Sequence, residues 1–417
     1  MPHAIHGGPE AMSETLDLGL GLQFADLYDR EGLVRLDGRF IAHLKQSHVE
    51  LHNRLMAARA AQADDAHSEL LIELAPVLDE FIGALFGIGT DVHALQARQT
   101  TLAPLYSVKR LFVQRRAAKK VTPEQAAAFD GPALRRELEG HLGSELTELA
   151  FAQAVERWMA AEGEHAAALD VAARYAAWAT HTPDGRQLHG GGVLFNNAPT
   201  VDALRRIAGP HDLLFKVPHK VDPNHLVPVE TEVVGGVTML KLPDRMARHR
   251  EGFELTDAGI GIEGALDHAN YCIWCHNQGK DSCSKGLKEK TGAFKKSPFG
   301  VTLAGCPLDE KISEMNLAFS AGSTVGALAI AIVDNPMCAA TGHRICNDCM
   351  KSCIYQKQEP VDIPQVETRI LKDVLSLPWG FEIYALLTRW NPLNIARPLP
   401  KPPTGHTVLV VGLGPAG

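Results

Sequence analysis

The residue types in this 417-residue chain that are best suited to chemistry are its thiols. Cys272, Cys275, Cys283, Cys306, Cys338, Cys346, Cys349 and Cys353 share one 82-residue window, and no cysteine precedes it. A Cys-x-x-Cys turn aims two thiolates at one metal atom or one edge of a cluster, and the chain has two such turns, Cys272/Cys275 and Cys346/Cys349. Cys353 adds a third thiolate from the turn after Cys349. Joined, the two turns make a four-thiolate zinc site that leaves Cys283, Cys306 and Cys353 without a role. Two iron–sulfur clusters would use seven thiols. On spacing alone clusters, zinc and incidental cysteines all stay open. Disulfides are the poorer explanation, because "MPHAIHGGPEAMSETLDL" has neither the basic nor the apolar stretch of a secretion signal, and a cytoplasmic setting keeps thiols reduced.

The elements that must position these thiols read as mainly α. Residues 1–185 form a helical N-terminal domain whose function the sequence does not reveal. In "VTPEQAAAF", Thr122 is an N-cap, Pro123 the first helical residue and Gln125 the partner in a capping box. "SELTELAFAQAVERWMAAEGEHAAALDVAARYAAWA" carries apolar residues at three- and four-residue spacing, enough for one long helix or two, and "THTPDGRQLHGGG" breaks the pattern. Residues 186–262 change to a mixed α/β texture. There "DLLFKVPHK" and "PVETEVVGGVTMLKL" read as short strands, the second folded at Gly235-Gly236. After the thiols, "LKDVLSLPWGFEIYALLTRW" reads as a helix and "RPLPKPPTG" as a linker.

Composition narrows the function. A net charge of −8 speaks against a nucleic-acid binder, and the greasiest windows are too charged or too short to span a bilayer, so neither nucleic acid nor membrane insertion is expected. The basic run "SVKRLFVQRRAAKK" reads as a solvated helix face, with an anionic partner as the alternative. No residue stands out as a general acid, base or nucleophile.

Four stretches, "CIWCHNQGKDSC", "GCPLDEKISEMNLAFSAG", "VDNPMCAATGHRICNDCMKSCIY" and "EPVDIPQVETRI", together resemble the N-terminal iron–sulfur domain of the glutamate synthase small subunit, which dihydropyrimidine dehydrogenase also has. The resemblance covers residues 265–417. It implies a helical domain over 263–397 holding two [4Fe-4S] clusters, a linker at 398–405, and at 406–417 the first strand of an FAD-binding Rossmann domain of the pyridine nucleotide-disulfide oxidoreductase type. "TVLVVGLGPAG" fits that start, with Gly412, Gly414 and Gly417 at the dinucleotide-binding positions. A Rossmann domain does not end at its third glycine, so the chain is expected to be a fragment of a longer flavoprotein.

Carried over by position, the resemblance implies that Cys272, Cys275 and Cys283 join Cys353 on one cluster. Cys306 then joins Cys346 and Cys349 on the other, completed by Glu367 of "DIPQVE", and Cys338 falls outside as a buried free thiol. Departures are the close spacing of Cys346 and Cys349 and a Lys-rich insertion between Cys283 and Cys306 (Lys285, Lys288, Lys290, Lys295, Lys296), which reads as a solvated loop or as a docking patch for an acidic electron carrier. The implied activity is that of an FAD-dependent NAD(P)H oxidoreductase whose clusters pass electrons to a partner protein, a second catalytic domain or a subunit. Its rivals are a zinc-stabilised interaction module and a reductase portion serving an activity in the N-terminal domain.

Overall fold

The computed structural model describes residues 16–61, 67–189, 213–218, 220, 222–225, 227, 229–243, 252–253 and 259–412. Its first half runs through α1 (Arg30–Ser47), α2 (Val49–Ala61), α3 (Ser68–Phe86), α4 (Gly89–Val108), α5 (Pro123–Ala127), α6 (Gly131–Leu142), α7 (Glu148–Ala160), α8 (Ala166–His181) and α9 (Pro183–Leu188). A hairpin of β1 (Glu230–Val234) and β2 (Val237–Lys241) follows. The thiol-bearing part holds α10 (Ile262–Tyr271), α11 (Ser282–Lys285), α12 (Ile312–Ser320), α13 (Thr324–Asp334), α14 (Cys338–Ile345), α15 (Asp348–Ser352), α16 (Ile363–Leu375) and α17 (Gly380–Leu387). The protein is mainly helical, as its periodicity predicts. No helix among the described residues is long and apolar enough to cross a membrane.

Local chemistry sets the element ends. Thr122 and Gln125 exchange the two bonds of a capping box at α5, with Pro123 behind them. The long Ala-rich stretch is two helices, and Thr147 caps the first by accepting from the Ala150 N–H. Gly235 and Gly236, at φ of 60° and 82°, make the two-residue turn that pairs Val234 with Val237 in the hairpin.

Some expectations change and one is extended. "DLLFKVPHK" is not a strand: Leu214 and Phe215 are buried in the helical core, and the Leu213 and Leu214 N–H groups donate to Glu148 Oε2 at 3.1 and 2.9 Å in place of a sheet partner. "THTPDGRQLHGGG" does break the pattern, α8 ending at His181, and a further short helix, α9, starts behind the break with Thr182 as its cap and Pro183 as its first residue. The stretch around "LSLPWGFEIY" is two helices, α16 and α17, since Pro378 and the left-handed Trp379 (φ 63°) interrupt it. The expected Rossmann strand does not form over the described 406–412, which has no regular secondary structure and no ladder partner among the described residues, and Val408, Leu409 and Val411 are at least 80% exposed. Gly414 and Gly417 lie outside the described residues.

The two helical halves share one apolar core. At its centre α13 crosses α3 so closely that a Cβ on Gly326 would lie 2.5 Å from the Ala75 Cβ. Asp79 of α3 serves as the missing cap of α13, accepting from the Gly326 N–H at 2.6 Å. Trp390, fully buried, packs against Phe40 and Phe81 and donates to Asp37 at 3.0 Å. Tyr106 and Lys109 reach α10 through the Glu263 carbonyl and the Asp267 carboxylate. The thiol region is therefore built onto the N-terminal helices rather than folded beside them.

Candidate metal centre

Cys272 ends α10, its N–H closing the last turn on the His268 carbonyl. The chain then turns sharply through Trp274, which sits at φ 52°, a left-handed conformation uncommon for an aromatic residue. That turn brings Cys275 round at the start of a short 3₁₀ segment, Cys275–Gln278. Cys283 lies on α11, and α11 packs against α15, which ends at Cys353. The four sulfurs of Cys272, Cys275, Cys283 and Cys353 lie together and all four residues are buried.

The Lys-rich insertion leaves this group and returns to it. Leu287 and Leu303 are hydrogen-bonded at its neck, and the Cys306 N–H donates to the Cys283 carbonyl at 2.8 Å. Gly305, at φ 88°, lets the strands of the neck touch, since a Cβ there would lie 2.4 Å from the Ser284 carbonyl oxygen. Cys306 is thereby delivered beside the first group but faces a different one. Cys306, Cys346 and Cys349 form that second group: Cys349 is buried, Cys306 half-buried and Cys346 exposed.

Burial and nearby donors act on these sulfurs in opposite senses, as they do on Cys338. Burial pushes Cys272 up to about 12 and Cys306 up to about 11, and it also raises Cys275 and Cys349. Hydrogen bonding with Cys353 holds Cys283 protonated and draws Cys353 down to about 7. Against the burial, backbone N–H groups point at every one of these sulfurs but that of Cys283. Trp274 donates to Cys272 at 3.4 Å and Asp348 to Cys346 at 3.5 Å. Ser282 serves Cys275, Tyr355 and Val361 serve Cys353, Leu308 and Glu310 serve Cys306, and Met350 serves Cys349. The side-chain amide of Asn316, fully buried and without an oxygen or nitrogen partner, lies against Cys272.

Donors converging on sulfur stabilise an electron-rich thiolate and do little for a neutral thiol. Among the described residues no group of three or more His, Cys, Asp or Glu side chains closes around the position of a single metal ion.

Glu367 points inward and is 7% exposed. Its carboxylate accepts from Asn335 Nδ2 at 3.2 Å and is hydrogen-bonded to a second buried acid, Glu310. Glu310 is the carboxylate that acts on Cys306 and Cys349, while Glu367 lies behind it, next to Cys338. Burial raises both acids, Glu310 to about 7 and Glu367 well above the usual range. The Cys306-x3-Glu310 spacing in "GCPLDE" was the available signal for Glu310; Asn316 in "EMNLAF" left none. Cys338 is buried against Tyr384 and the Glu367 side, apart from both thiol groups.

Residues 18–87 match the family described as the RP005 N-terminal alpha-helical domain. The uncharacterized protein RP005 of Rickettsia prowazekii (strain Madrid E) is 30% identical over 312 residues, covering 72% of this chain and 97% of that protein. The uncharacterized protein RP006 of the same organism is 70% identical over 81 residues, covering 19% of this chain and 12% of that protein. The chain thus spans nearly all of one relative and a small part of the other. No solved structure matches it.

Proposed function

On the premise that this chain belongs to the RP005 family, we propose that it is the iron–sulfur electron-transfer part of an FAD-dependent NAD(P)H oxidoreductase. One observation carries the reading: two separate groups of thiols, all buried or half-buried except Cys346 and all but Cys283 facing a backbone N–H donor, lie side by side across the Cys283–Cys306 backbone bond. A disulfide scaffold would need no such donors, and a single four-thiolate zinc site would leave three of the seven sulfurs idle.

The residues that would hold the first [4Fe-4S] cluster are Cys272, Cys275, Cys283 and Cys353, and those that would hold the second are Cys306, Cys346 and Cys349 with a carboxylate. Glu310 stands nearer those sulfurs than the expected Glu367. Its partner Glu367 would keep a proton behind it, so that Glu310 faces the thiols as the anion. When bound, the clusters supply one-electron transfer. The chain's own part is to orient the seven sulfurs, to exclude water from the first group and to set each group's potential through its N–H bonds and acids. FAD and NAD(P)H would require the sheet and helix of a complete dinucleotide fold, of which the 406–412 segment would supply the first strand. The final acceptor is proposed to be a partner protein, a second domain or a subunit.

Anaerobic purification of the chain tests this reading. Iron and acid-labile sulfide should each approach about eight per chain, with broad visible absorption bleached by dithionite. Stoichiometric zinc without sulfide would replace the cluster reading with the zinc-stabilised module.

A further inference from the structure

The first thiol group has a second face. A cavity of about 380 Å³ opens between the N-terminal helices and α10, and Cys272 forms part of its wall. One side comes from the basic run whose sequence reads as a solvated helix face. Over Lys109–Ala118 that run is π-helical, a rare geometry found mostly in short stretches at functional sites. It turns Arg110 and Arg115 toward the cavity, and Lys216 joins them from the segment that lost its strand. Among the described residues none of these three cations is ion-paired with an acid. Asp267 in the wall is already bonded to Lys109 through both carboxylate oxygens at 2.7 Å, which leaves Glu359 as the other acid there.

The opposite side is aromatic. Tyr271 and Tyr355 stack with centroids 4.4 Å apart and planes within 16°, and Trp274 lies beside them under the Arg110 guanidinium at 5.7 Å. The indole Nε1–H of Trp274 is buried without a hydrogen-bond partner. Three cations with no acid partner among the described residues and stacked rings in one concave site together specify a ligand: a flat ring for the tyrosine wall and an anionic group for the cations.

We propose that this cavity binds a small planar anion, a conjugated ring bearing a phosphate or carboxylate. Its charged group meets Arg110, Arg115 and Lys216, and its ring lies along Tyr271, Tyr355 and Trp274. The inference concerns binding only and stands whether or not the thiols carry iron. It favours, for the basic run, the anionic partner that its sequence offers only as the alternative to a solvated face.

Isothermal titration of the full chain with four probes decides it: 1-naphthyl phosphate, 2-naphthoate, the neutral 2-naphthalenemethanol and inorganic phosphate. Both aromatic anions should bind at least about tenfold more tightly than the neutral ring or inorganic phosphate, and more weakly as salt rises. Whichever of the two binds better identifies the head group. Arg110→Glu with Lys216→Glu should weaken the aromatic anions at least about tenfold. Both positions are exposed, so circular dichroism should show an unchanged fold. Equal binding of the neutral ring, equal binding of inorganic phosphate, or a double variant that binds like the parent would overturn the proposal.

Discussion

The two thiol groups are made from the same residue type within the same window, yet they are set in opposite surroundings. Cys272, Cys275, Cys283 and Cys353 are all buried, beside α10, α12 and the stacked tyrosines. Cys306, Cys346 and Cys349 grade from buried to open, Cys349 in the core, Cys306 half-buried and Cys346 exposed, with two buried acids behind them. Asp281 is the acid near the first group, itself raised to about 6, first by burial. Low dielectric penalises added negative charge in both places, but only the second group has carboxylates sharing a proton against it. If both groups hold clusters, the second should be the more negative in potential and the more easily lost.

The largest expected difference is in access. In the metal-free, reduced chain Cys346 should alkylate roughly a hundredfold faster than Cys272, Cys283 or Cys353, because reaction needs an exposed thiolate. Mass spectrometry of timed iodoacetamide labelling reads this directly, and uniform labelling of all eight thiols would erase the contrast. A second break in the symmetry comes from Cys353→Ser. It should remove the first group's share of the metal, about half of the iron, and leave the second group's spectrum in place. Loss confined to the second group would mean that the partition is reversed.

The carboxylates sharpen the contrast further. Glu310→Ala should make the second group's iron labile or incomplete, whereas Glu367→Ala should retain most of it at a shifted potential. The opposite order, read by iron assay and redox titration, would return the ligand role to Glu367. The smallest effect is on stability against pH in the metal-free chain. Glu310 titrates near 7 when folded and near 4.5 when unfolded. Its protonated form is favoured by folding, so its contribution is undiminished below about 4.5 and declines as pH rises toward 7, levelling off above. Glu367 acts in the same direction. Urea denaturation across that window should show a fall of a few kcal/mol that Glu310→Gln largely removes. A flat profile in the parent chain would mean that the acid pair is solvated.

Near-neighbour chemistry was legible from the sequence. The Thr122 capping box, the Gly235-Gly236 hairpin and the helical period of α7 and α8 each depend on residues a few positions apart, so their signals are contained in short windows. The clustering of the thiols was legible for the same reason, as were the seven residues divided between two groups once a family resemblance supplied their pairing. What the sequence did not display was anything settled by a distant partner. Leu213 and Leu214 have the composition of a strand, but Glu148 takes their N–H groups, and a strand without a neighbour does not form. Glu310 comes to face the second group because the segment leading into α12 and the helix α16 carry two acids to the same point, and only their burial together makes them share a proton. The basic run of residues 109–118 has the charge of a solvated face in any window, and the packing of α4 against α10 turns it into a cavity wall. Charge, periodicity and thiol content are properties of the chain itself. Which acid meets which sulfur, and which cation lines a cavity, follows from the excluded volume and desolvation of a core that closes only in three dimensions.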